Sequence, residues 1–201
     1  MFNTKRLMTL AGAVGLALSL SACMSMHSYV DPSVGEPHYA DLKKPASPQP
    51  VQLLVELQTK GVPNARATEA LKPRVYEQVS QSGLFSQVSY DPVPSGRKLS
   101  ITINNVPLTD NAAAKGFGTG LTFGLVGSMV TDGYTCTASY IAPGRDAVTK
   151  VVKHAIYTTI GNASGPEGLK PMPLQEASST VIRQIVAKSL EEIDQSSDLA
   201  Q

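Results

Sequence analysis

Val51, Leu53, Val55 and Leu57 alternate with Gln52, Glu56 and Gln58, the period of a half-buried strand, with Leu54 the single misfit. A helix is predicted next, because Leu71, Val75 and Val79 recur at four-residue spacing and Ser82-Gly83 supplies a stop, with Leu84 and Phe85 positioned to pack back. Pro73 leaves two starts open: either it lies in the first turn, or a longer helix from about Ala65 is kinked there. Gln87–Tyr90 predicts a short strand ended by Asp91-Pro92, and Leu99, Ile101 and Ile103 alternate with Ser100, Thr102 and Asn104 in a longer one. After Asn104-Asn105 the apolar parity shifts to Val106 and Leu108, which predicts a bulge or a strand end. Tyr134, Cys136, Ala138 and Tyr140 form one further alternation, and Val152, His154, Ile156, Thr158 and Ile160 another. With the turn at Pro143-Gly144-Arg145-Asp146 between them, they predict an antiparallel hairpin. A Gly- and Pro-rich loop from Gly161 to Pro173 precedes a last helix whose apolar face is Ala177, Val181, Ile182, Ile185, Val186, Leu190 and Ile193. Glu191, Glu192 and Asp194 carry the wrong sign for the macrodipole at its end and predict fraying. The element order predicts an α+β fold: a mainly antiparallel sheet of about five strands with both helices on one face.

Between the two central strands, Ala112 to Val130 breaks the pattern and carries one charge, Lys115. Gly116, Gly120 and Gly124 are four apart, as in a small-residue helix stripe, whereas Phe117, Thr119, Leu121, Phe123 and Leu125 occupy alternate positions, as in a strand. A strand or irregular chain is favoured, since each glycine costs roughly 0.8 to 1 kcal/mol in a helix interior. The segment is either an apolar connection folded against its own domain or a contact surface for a bilayer, a partner or a second copy. The candidate contact residues are Gly116, Phe117, Gly120, Leu121, Phe123, Gly124 and Leu125.

The N-terminus reads as an address. Lys5 and Arg6, an uncharged run from Leu7 to Leu20, and the small residues Ser21 and Ala22 have the layout of a secretory signal peptide over residues 1–22. The apolar run is shorter than the roughly 20 residues of a stable transmembrane helix. Leu20-Ser21-Ala22-Cys23 resembles the bacterial lipoprotein signal, which implies cleavage after Ala22 and acylation of Cys23, and Met24-Ser25 in place of an Asp implies the outer membrane, periplasmic face. Several acyl chains would then anchor the protein to the membrane. Residues 23–50, with five prolines after the cysteine and no sustained period, predict a tether. A single periplasmic domain of about 150 residues, 51–201, would follow.

Composition narrows the function classes. The chain has 201 residues, 16% of them charged, with 17 Lys and Arg against 16 Asp and Glu, so no electrostatic footprint for nucleic acid is expected. With Cys23 acylated, Cys136 is the one remaining thiol and is expected buried as a small apolar residue. His27, His38 and His154 have no Cys or carboxylate at ligand spacing, so neither a metal nor a cofactor is expected. His154 is expected as a partly buried sheet residue, and Asp110 and Asp132 as caps of turns flanking the glycine-rich segment. Gly127-Ser128 lacks the Gly-x-Ser-x-Gly pattern of a nucleophile elbow, and Gly116-x-Gly118-x-x-Leu121 lacks the third glycine of a dinucleotide loop.

Gly120-Leu121-Thr122-Phe123-Gly124-Leu125, Thr131-Asp132-Gly133-Tyr134-Thr135-Cys136-Thr137-Ala138 and the earlier Ser82-Gly83-Leu84-Phe85 resemble a group of uncharacterised bacterial outer-membrane lipoproteins. The resemblance spans residues 70–140 and implies an α+β envelope lipoprotein without a known activity. More distantly, the element order is similar to lipoproteins of the curli-secretion pore type. Three function classes are expected in descending order: a non-enzymatic envelope component contacting a protein partner or itself through the glycine-rich segment, an accessory protein binding lipid or another hydrophobic ligand between sheet and helices, and an enzyme.

Overall fold

A computed structural model describes residues 25–108, 129–161 and 163–196. Seven strands among the described residues form one open sheet: β1 (Met26–Val30), β2 (Val51–Thr59), β3 (Val62–Pro63), β4 (Val88–Ser89), β5 (Lys98–Pro107), β6 (Met129–Ile141) and β7 (Val148–Ile160). The spatial order is β1-β7-β6-β5-β2-β3, with β4 also on β2. Two α-helices among the described residues, α1 (Ala65–Gln81) and α2 (Leu174–Ser196), pack on each other and on one face.

The sheet differs from the expected one in strand number and direction. It is mixed, because β2 runs parallel to both β4 and β5, while the β5–β6, β6–β7 and β7–β1 pairs are antiparallel. The helix between β2 and β4 explains the parallel pairs, since a crossover through a helix returns the chain in its original direction. α1 takes the longer of its two predicted starts. Asn64 caps it by accepting the Ala67 N–H at 3.0 Å, and Pro73 lies within it. Gly83 follows with φ +69, and Leu84 folds back into the core.

Alternation sorts the two sheet faces as predicted. Leu53, Leu57, Leu99, Ile101, Ile103, Cys136, Ala138 and Val152 are buried against Val75, Val79, Ile182, Ile185, Val186, Leu190 and Ile193. Leu54 lies on the opposite face, 43% exposed, beside Ser100 in the adjoining strand. No bulge interrupts β5, whose register with β6 runs unbroken from Lys98↔Ile141 to Pro107↔Asp132. Apolar parity shifts there because the face away from the helices becomes covered toward this end. Leu108, Thr131, Ala155, Tyr157 and Thr159 are all buried.

The main departure is residues 26–50. Expected as a tether, they belong to the fold: β1 adds an edge strand to β7, Tyr39–Asp41 form a 3₁₀ turn, and Tyr29 and Leu42 are buried. The five prolines limit regular pairing in this stretch, but its backbone and side chains still find partners across the helix layer.

Candidate functional site

Cys23 and Ala22 lie outside the described residues, as do Gly116, Phe117, Gly120, Leu121, Phe123, Gly124 and Leu125; Asp110 lies outside them too. The described chain nevertheless fixes where it enters the fold. Ser25 accepts the Gly161 N–H on its carbonyl at 2.9 Å, and its hydroxyl donates to the Gly161 carbonyl at 2.9 Å. The next residue, Met26, stands opposite Ile160 in β7, and Met129, the first residue of β6, stands opposite Thr159. One end of the sheet therefore holds both the chain two residues after Cys23 and the strand that follows the glycine-rich segment.

From that end, residues 26–44 form a strap across the domain. Ser28 exchanges two backbone hydrogen bonds with Met172 of the Gly161–Pro173 loop, at 3.0 and 2.9 Å. Gly165 of the same loop lies against the Tyr29 ring so closely that any side chain there would collide with it. Asp31 is buried and accepts hydrogen bonds from the Tyr157 hydroxyl and, at 2.8 Å, from the Ser33 N–H. Farther along, Tyr39 donates to Gln78 Oε1 of α1 at 2.7 Å, and the Lys43 N–H donates to Asp194 of α2 at 2.8 Å. Asp194 is thereby a buried acceptor for the strap, whereas its sign against the macrodipole predicts a fraying end.

A polar chain links the strap to the sheet through α2. Arg183 pairs with Glu36 through both terminal guanidinium nitrogens, and the Gln184 amide donates to Glu36 Oε1 at 2.9 Å. The Arg183 hydrogen bond holds the Glu36 carboxyl below its ordinary range. On the other side of Gln184 stands His154, whose Nε2 lies 2.6 Å from Gln184 Oε1. The Ala155 N–H points at His154 Nδ1, 3.0 Å away, so Nδ1 is the unprotonated nitrogen and Nε2–H the donor to Gln184. Burial holds the imidazole below its ordinary pKa, against the opposing pulls of Gln184 and Asp31. His154 is thus a wholly buried neutral histidine locked in one tautomer, more enclosed than its alternation predicts.

The remaining expected residues fall as follows. Cys136 is fully buried, and that burial pushes its thiol up to about 12. Asp132 lies within β6 and not at a turn; burial raises its carboxyl, while a hydrogen bond from Asn105 lowers it. His27 is an exposed β1 residue and His38 precedes the 3₁₀ turn. Among the described residues no three His, Cys, Asp or Glu side chains are grouped to hold a metal, and no helix is long and apolar enough to cross a membrane. Every buried side-chain nitrogen and oxygen among them has a hydrogen-bond partner.

Sequence reasoning missed Ser25, Asp31, Glu36 and Gln184. The available signal was Met26-His27-Ser28-Tyr29-Val30, where β-branched and aromatic residues gather in an otherwise Pro-rich stretch.

No family model matches the chain, and no curated protein matches it. Solved structures similar to it include rare lipoprotein B from Shewanella oneidensis, with 11% identity over 74% of this chain and 96% of that one, at a TM-score of 0.38. A PelC dodecamer variant from Paraburkholderia phytofirmans shares 14% identity over 85% of this chain and 97% of its own, at 0.35. A neuraminyllactose-binding-hemagglutinin-like protein from Helicobacter pylori shares 13% over 80% and 91%, at 0.40. Likenesses this remote carry no argument about what the chain does.

Proposed function

We propose that the protein is a lipoprotein of the bacterial outer membrane, anchored through acyl chains on Cys23 and facing the periplasm. In this reading it is a non-enzymatic component of envelope assembly or transport, and its glycine-rich stretch from Gly116 to Leu125 contacts a protein partner or a second copy. The supporting observation is the shared end of the sheet. Met129, which resumes the described chain after that stretch, and Met26, three residues after Cys23, face Thr159 and Ile160, adjacent residues of β7. An apolar contact segment leaving near the anchor would meet partners held on the same membrane.

Two experiments test this. Cys23→Ser should move the protein from the membrane to the soluble fraction, and unchanged membrane association would reject lipid anchoring. Photo-crosslinkers at Phe117, Leu121 and Phe123 in intact cells should capture a defined protein neighbour or a second copy. Capture of lipid alone would favour the hydrophobic-ligand reading instead.

A further inference from the structure

The strap that replaces the tether determines how an anchored domain would sit. We propose that the end of the sheet made by Ser25, Met26, the end of β7 with Gly161, and the loop from Ala163 to Pro173 rests directly on the leaflet that holds the acyl chains, with β6 and β7 running away from it. This rests on the lipid anchoring proposed above.

Chain length limits the alternative. One residue, Met24, lies between Cys23 and Ser25, and an extended chain covers at most about 3.6 Å per residue step, so the two steps leave roughly 7 Å of slack before the chain is fixed to Gly161. The following residues add no slack, because Ser28, Asp31, Glu36, Tyr39 and Lys43 are each bonded to the domain. The same end also offers apolar side chains. Met26 is 52% exposed, and Leu174, which opens α2 after the loop, is 46% exposed. Lys170 and Glu167 are exposed on that loop as well, so its charges offset each other and the two apolar residues set its character. At about 3.3 Å per residue the 13 residues of β7 put the β6–β7 turn roughly 40 Å from this end.

The test uses the acylated full-length protein in vesicles of phosphatidylethanolamine and phosphatidylglycerol that carry a headgroup-attached spin-label quencher. A thiol-reactive fluorophore is placed at Ser164→Cys, in the loop, or at Ala147→Cys, in the distant turn. Both positions are exposed, while Cys136 is buried and Cys23 is blocked by its acyl chain. The proposal expects strong quenching at position 164 and none at 147. A flexible Gly/Ser linker inserted between Met24 and Ser25 should reduce the first signal to the level of the second. Equal quenching at the two positions, or quenching at 164 that ignores the linker, overturns the orientation while anchoring stands. Failure of the protein to float with the vesicles overturns the anchoring and the orientation together.

Discussion

His154 donates through Nε2 to Gln184 Oε1 at 2.6 Å, and Gln184 passes the connection on to Glu36 at 2.9 Å, so one side chain of α2 joins the sheet to the N-terminal strap. This contact has a pH signature. Burial keeps the folded-state pKa of His154 below the ordinary 6.5. As pH falls through 6.5 the unfolded chain takes up a proton that the folded chain refuses, and stability drops until the folded pKa is passed. Thermal melts between about pH 7.5 and 5.5 should show a falling melting temperature, and His154→Gln should flatten that slope even if it lowers the plateau. Glu36 acts in a separate window: its lowered pKa contributes stability that is lost only as pH falls below 4.5.

The strap should be part of the folding unit. A chain beginning at Val51 loses β1, the buried Tyr29 and Leu42, and the Asp31 partner of Tyr157. Burial of two such side chains alone is worth roughly 3 to 6 kcal/mol. Circular dichroism melts should therefore show residues 51–201 strongly destabilised or aggregating beside residues 25–201. Equal melting temperatures would show that the strap adds nothing.

Asp31→Ala should cost about 1 to 3 kcal/mol, because it leaves the buried Tyr157 hydroxyl without its acceptor. Asp31→Asn keeps an oxygen in reach and should cost less. Chemical denaturation of the two variants beside the parent measures the difference, and equal costs would mean that the hydrogen bond contributes little.

Cys136 should behave as an inert apolar residue. Its thiol is enclosed and pushed up to about 12, so the nucleophilic thiolate is scarce at neutral pH. Maleimide labelling of the native protein should fail within hours and proceed rapidly in denaturant. Rapid labelling of the native form would show that the sheet–helix interface opens.

The central strands were legible because one face meets helices and the other does not, and that asymmetry writes a period of two into Leu99–Ile103 and Tyr134–Tyr140. The apolar stripe of α2 was legible for the corresponding reason. β1 was hidden: it is five residues long at a sheet edge, and its two buried residues, Ser28 and Tyr29, meet Met172, Gly165 and Tyr157, contacts more than a hundred residues away that leave no periodic trace. The parallel β2–β5 pair could have been foreseen, since a strand, a helix and a strand in succession imply a crossover. Asp194 reads locally only as a helix-end charge of the wrong sign and Glu36 stands out in no pattern, because local sequence carries no mark of a partner in another element.

Intact-mass spectrometry of the detergent-extracted protein tests the anchoring claim most directly. The proposed account predicts a chain that begins at Cys23 and carries the added mass of its acyl chains. A chain beginning at Met1, or one beginning at Cys23 without acyl mass, would contradict it.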